Sequence, residues 1–133
     1  MMNVFPKVFT DIATPLRTQY SDIYITGERI NQPAKFPCVM VVEADNYEDA
    51  RYSDNSLTEK VASLLYEITV FSNKAQGKRS QCVEILSDID DIMKRKNATR
   101  FSRIEGYFDS ESTIYFATAR YRLKTDGTYW YTF

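Results

Sequence analysis

The sequence predicts an α+β fold: a single domain with a mixed four- to five-stranded sheet and two helices packed on one face. Three observations lead there. Two stretches repeat apolar residues at spacings of three and four, as amphipathic helices do. Several runs rich in β-branched and aromatic residues lie between and after them, and the last alternates with a period of two. The 133 residues suit one core, with no repeat, low-complexity tract or linker to divide them.

The first helix is expected over residues 4–18, where Val4, Phe5, Val8, Phe9, Ile12 and Leu16 gather on one side. Pro6 suits the first turn, where a missing N–H loses no partner. Pro15 should end or kink the last turn. A short strand at 23–26 follows, and Gly27 turns the chain. Pro33 and Pro37 bracket an extended approach to a strand at 36–44, with Pro37 at its start because it cannot donate to a ladder. Every residue from Cys38 to Val42 is apolar, which predicts a central strand covered on both faces. Helices can cover one face, and the other needs something else, a second subunit among the options.

Segment 45–55 then turns acidic. Asp45, Glu48, Asp49 and Asp54, with Glu43 at the edge, face Arg51 alone, and Tyr47 and Tyr52 are interleaved. It is expected to be a loop, mobile in a free subunit and ordered by contact, whose carboxylates serve assembly and not the fold. A strand at 61–72 comes next. Asn73 should cap the second helix, with Gln76 completing a capping box, and the helix should run to about Lys96. Cys82, Ile85, Leu86, Ile89, Ile92 and Met93 form its apolar stripe, and Glu84, Asp88 and Asp91 line the other side. Lys94, Arg95 and Lys96 suit the negative end of the helix dipole.

Strands at 100–108 and 113–124 complete the sheet. In the second, Tyr115, Ala117, Ala119, Tyr121 and Leu123 share one face, and Thr118, Arg120 and Arg122 the other. Residues 126–133 form an aromatic C-terminal extension that opens on an Asp126-Gly127 turn signal. Tyr129, Trp130, Tyr131 and Phe133 are too apolar to be left in water. Either they pair as a strand with 113–124, or they strap onto a neighbouring subunit with Trp130 as anchor.

Composition removes many functions. Lys plus Arg is 17 and Asp plus Glu is 18, without the basic excess of an electrostatic DNA binder. With no histidine there is no Ser-His-Asp triad, Cys-His pair or His-ligated zinc. Cys38 and Cys82 lie far apart in apolar stretches and read as buried free thiols. The isolated glycines make no phosphate loop. Asp88 and Asp91 share a helix face while Asp90 points elsewhere, which reads as a solvated face; a metal would need ligands from another element. "DNYEDARYSDNS" lacks the spacing of a calcium loop. "YFATARYRLK" puts its aromatic and arginine positions mostly on opposite faces, as a core strand does and a base-stacking platform does not.

No catalytic, cofactor-binding or metal-ligating residue is therefore nominated, and no enzyme is expected. No apolar run approaches the roughly 20 residues of a membrane helix, and "MMNVFPKVFTDIATPL" does not read as a secretion signal. Unpaired cysteines fit a cytoplasmic setting. Tyrosine is enriched at protein interfaces, so Tyr47, Asp49, Arg51, Tyr52 and Asp54 are the candidate assembly contacts, with Trp130.

Taken in order, the helix, the short strand, "KFPCVMVVEADN", "LLYEITVFSNKAQGKRSQCVEILSDIDDIM" and the closing "YFATARYRLKT" carry a resemblance. The Phe-Pro-x-Val strand runs into an acidic segment, a Tyr-Glu-Ile-x-Val-Phe-Ser-Asn strand precedes a Lys/Arg-rich helix entry, and an Ala-x-Tyr-Arg strand comes late. Over residues 3–125 the chain resembles the tail-terminator (tail-completion) proteins of long-tailed bacteriophages and related prophages. "TYWYTF" lies outside that pattern.

The resemblance implies a virion protein of the tail and neck, assembled in the host cytoplasm without a cofactor. It would form a homo-oligomeric ring, usually of six subunits. The ring caps the tail tube protein, ends polymerisation and offers a surface to the head–tail connector protein. DNA passes through its lumen without specific binding. Two alternatives stand beside it: a head-side connector or stopper of the neck, and, from another class, a small metal-dependent hydrolase using Asp/Glu.

Overall fold

The computed structural model describes residues 1–49, 61–111 and 113–132. Along the chain run α1 (Phe5–Gln19), β1 (Tyr24–Thr26), β2 (Cys38–Glu48), β3 (Ala62–Ser72), α2 (Lys78–Lys94), β4 (Thr99–Tyr107), β5 (Tyr115–Thr125) and β6 (Trp130–Tyr131). The strands lie in the order β1-β2-β3-β5-β4, with β6 pairing the end of β5. β1 is parallel to β2 and every other pair is antiparallel. This is the α+β fold expected, an open mixed sheet with both helices packed on it. β6 brings the sheet to six strands.

The helical stripes and the strand alternation meet in one core. Val8, Ile12 and Leu16 of α1 and Cys82, Ile85, Ile89 and Met93 of α2 are fully buried. They pack on Val39 and Val41 of β2, Leu64, Ile68 and Val70 of β3, and Ala117, Ala119 and Leu123 of β5. Two tyrosines are buried among them, and a buried phenol needs a partner. Tyr66 donates to Glu43 Oε1 at 2.9 Å and Tyr121 to Asp90 Oδ1 at 2.9 Å.

The sequence places the strands to within a few residues, and the departures have local causes. Pro15 does not end α1, which continues to Gln19. Pro15 is exposed while Leu16 beyond it is fully buried, so packing holds the last turn. Asn73 does not cap α2. The helix begins five residues later behind Gly77, whose φ of 83° is a left-handed conformation that favours glycine. Ser72 closes the intervening turn, accepting from the Lys74 N–H and donating to Gln81 Oε1 at 2.5 Å.

β2 departs most. It does not stop at Ala44 but continues to Glu48 after a register shift between Glu43 and Asp45. Asp and Asn are poor strand formers, yet Asp45, Asn46, Tyr47 and Glu48 pair with Leu65, Leu64, Ser63 and Ala62. The Asn46 side chain also donates to the Met2 carbonyl at 2.8 Å. As expected, β2 is an interior strand, paired with β1 on one side and β3 on the other and buried on both faces. Its second apolar face is covered by its own chain. Cys38, Met40 and Val42 form a smaller cluster with Phe71 and Ile114, and Tyr24, Ile30, Phe36 and Phe116 pack round it.

Candidate assembly surfaces

Of the acidic-segment candidates, the structure describes Tyr47 and Asp49. Arg51, Tyr52 and Asp54 lie outside the described residues. Tyr47 stands opposite Ser63 and is 53% exposed, available for contact as expected. Asp49 is a correction. It is only 8% exposed and lies 3.7 Å from the ammonium of Lys124, itself buried. Its backbone N–H donates to Val61 at 2.9 Å. A carboxylate so enclosed beside a buried cation belongs to the fold.

Trp130 takes the first of its two expected homes, as part of a strand of its own chain. It pairs with Thr125, and its carbonyl accepts from the Asn97 side chain at 2.8 Å. The Lys96 ammonium sits 4.8 Å from the centre of its ring and also pairs with Asp11 of α1. Lys96, 7% exposed, is thus more than a charge at a helix end: it ties α1 to the C-terminal strand. The Asp126 carboxylate closes the turn, accepting from the N–H groups of Thr128 and Tyr129 at 2.8 and 2.7 Å. Tyr129 and Tyr131 remain exposed.

Among the acids of α2 the solvated reading holds for Glu84 and Asp91, which are exposed, and not for Asp88 and Asp90. Asp88 accepts from the Tyr20 hydroxyl at 2.5 Å. Asp90 is buried and meets Tyr121, Lys94 at 3.0 Å and Arg100 at 3.1 Å. Burial alone would raise its pKa, but hydrogen bonds from Lys94 and Tyr121 and the charge of Arg100 outweigh it and hold the carboxyl below its ordinary value. Both thiols are free and buried, as expected. Burial pushes Cys38 up to about 11 and Cys82, with help from the Glu105 charge, up to about 12. Among the described residues no group of three or more His, Cys, Asp or Glu is placed to hold a metal, and no helix is long and apolar enough to cross a membrane.

An exposed apolar surface lies where the sequence nominated nothing. β4 is one edge of the sheet, and along it Phe101, Ile104, Tyr107 and the following Phe108 are 41–58% exposed. The Arg122 guanidinium lies 4.6 Å from the Phe101 ring. Tyr107 meets Tyr115 edge-on at 5.0 Å, and Phe108 meets Phe71 at 5.6 Å. The only hint in the sequence is that "RFSRIEGYF" does not alternate. A register shift between Arg100 and Ser102 breaks the pattern, and only the sheet order makes this strand an edge.

At the opposite edge, beside β1, Ser21, Asp22, Ile23, Tyr24, Ala34, Lys35, Phe36 and Asn73 line an open cleft of about 650 Å³. The centre of the sheet face away from the helices is polar. Arg120 bonds Glu67 at 3.0 Å, and Thr69 and Thr118 share a hydrogen bond at 2.9 Å. No protein-family model matches the chain, and a search of curated proteins found no relative.

Proposed function

We propose that this protein is a structural component of a phage tail that assembles as a ring of identical subunits, caps the tail tube and ends its growth. The resemblance over residues 3–125 suggests the role, and the exposed edge at β4 supports it. Its nine-residue strand has no partner strand on its outer side among the described residues. It therefore offers unpaired N–H and C=O groups flanked by Phe101, Ile104, Tyr107 and Phe108. Chains that do not associate blunt or cover such edges. Here the register shift between Arg100 and Ser102 and the charges of Arg100, Arg103 and Glu105 blunt the edge in part. Residues 102–107, beyond the shift, pair with β5 in unbroken register. The apolar second face of β2 lends no support to a ring, because the chain covers it itself.

Electron microscopy of the tagged protein with separated tails and filled heads tests the role. We expect it at the head-proximal tip of tail tubes. Binding only to filled heads would replace this reading with the neck stopper, and binding to neither would overturn both. Melting with and without magnesium or calcium examines the hydrolase. A site filled at a hundredfold excess over Kd raises stability by about 2.7 kcal/mol, and we expect no shift.

A further inference from the structure

We propose that the outer edge of β4 takes an extended acidic segment of a partner protein as an added strand, with alternate carboxylates received in the groove between β4 and α2. The site lies wholly within one chain, so the inference goes beyond the ring reading and does not depend on it. Residues 102–107 pair with β5 without a break, and among the described residues no strand lies outside them. That leaves about 20 Å of ladder open. An added strand bonds such an edge through its main chain, and pockets for its alternate side chains select its sequence.

The two faces of this edge differ in chemistry, because residues opposite each other in a ladder share a face. Arg100, Arg103 and Glu105 stand opposite Tyr121, Ala119 and Ala117 of the helix-side core. Ser102 and Ile104 stand opposite Arg120 and Thr118 on the other face, where the Phe101 ring lies against Arg122. On the helix side, Val83, Leu86, Ser87 and Asp90 of α2 enclose a groove of about 210 Å³ with Arg100 and Arg103. Four cations there answer two acids. Lys94 and Arg100 pair with Asp90, and Arg79 and Arg103 with Glu105. The four cationic side chains are 38–66% exposed, whereas the Asp90 and Glu105 side chains are 10% and 24% exposed. Glu84 and Asp91, the exposed acids of α2, lie further round the helix. Surplus positive charge in a groove beside an open strand fits carboxylates at every second residue of the incoming segment. Its other residues fall beside Phe101 and Ile104 and are apolar.

Fluorescence polarisation with labelled peptides as long as β4 tests this on the unaltered chain. One peptide alternates glutamate with valine, and a second alternates lysine with valine. A third is the glutamate peptide N-methylated throughout. The glutamate peptide should bind, and the lysine peptide should bind about tenfold more weakly or worse. The methylated peptide should not bind, because it cannot donate to the strand. A chain carrying Arg103→Glu with Ser87→Glu, shown by its melt to be folded, should lose about tenfold in affinity for the glutamate peptide. Lys35→Glu, at an exposed site beside β1 on the other edge, should leave binding unchanged. Equal binding of the glutamate and lysine peptides, binding that survives N-methylation, or a folded double variant that binds like the unaltered chain would overturn the inference. An edge already filled by a second copy would leave the glutamate peptide unbound, and that result too would overturn it. The three peptides are compared on the unaltered chain, so a double variant that fails to fold does not shelter the inference.

Discussion

Asp49 and Lys124 are two buried charges set side by side. Asp49 stands in a run of exposed acids and reads like its neighbours, but it is 8% exposed and lies 3.7 Å from a buried ammonium. Burial of one acid in an acidic run depends on which side chains close over it, and local pattern does not encode that. Asp49→Lys should therefore cost about 3 kcal/mol or more in urea unfolding, as breaking a buried pair does. Tyr47→Ser, at an exposed site, should change stability by no more than about 0.5 kcal/mol.

Asp11 and Asp90 add a pH dependence. Burial opposes ionisation at both, but Lys96 at Asp11, and Lys94, Tyr121 and Arg100 at Asp90, outweigh it and lower both carboxyls. A lowered folded-state value stabilises above the unfolded value, about 3.9, and that stabilisation is lost as pH falls through the folded value. Melting temperature should thus drop below about pH 4, and Asp90→Asn should make the drop shallower. The two cysteines were legible, because Cys38 sits in an apolar run and Cys82 on the apolar stripe of α2. Neither should react with a thiol reagent until the chain unfolds, since the thiolate is the nucleophile and burial raises both thiols.

At the scale of elements, the sequence revealed periodicity well and boundaries less well. The stripe of α2 and the alternation of β5 depend on residue spacing alone, and both appear as expected. The end of β2 and the start of α2 depend on partners distant in sequence or on one backbone conformation. Strand β3 holds Asp45–Glu48 in the ladder against their propensity. Gly77 sets the start of α2 in place of Asn73. The C-terminal strand follows the same logic. Trp130 is secured within its own chain by Lys96, Asn97 and Thr125. Trp130→Ala should lower monomer stability by about 1–3 kcal/mol through lost packing and the cation–π contact, measured by denaturant unfolding at a concentration where only monomer is present.

For the whole molecule, the sequence predicted the α+β class because helical and strand periods separate cleanly along the chain. The surface proposed for assembly was legible only in part. Tyr47 is exposed as expected, whereas the apolar edge at β4 becomes visible only once the strand order puts that strand outermost. Hydrophobic residues on an edge strand and in a central strand look alike in sequence, and topology alone separates them. The chain's own cover over β2 likewise comes from residues 24, 30, 36, 71, 114 and 116, spread over most of its length. A local window could not assemble them.

The most direct measurement of the proposed ring is the native mass of the purified chain over a range of concentrations. A closed ring of six gives one discrete species at six times the 15.5 kDa chain mass, with no larger ladder above it. A chain that remains at 15.5 kDa at every concentration, or grows without limit, would contradict it.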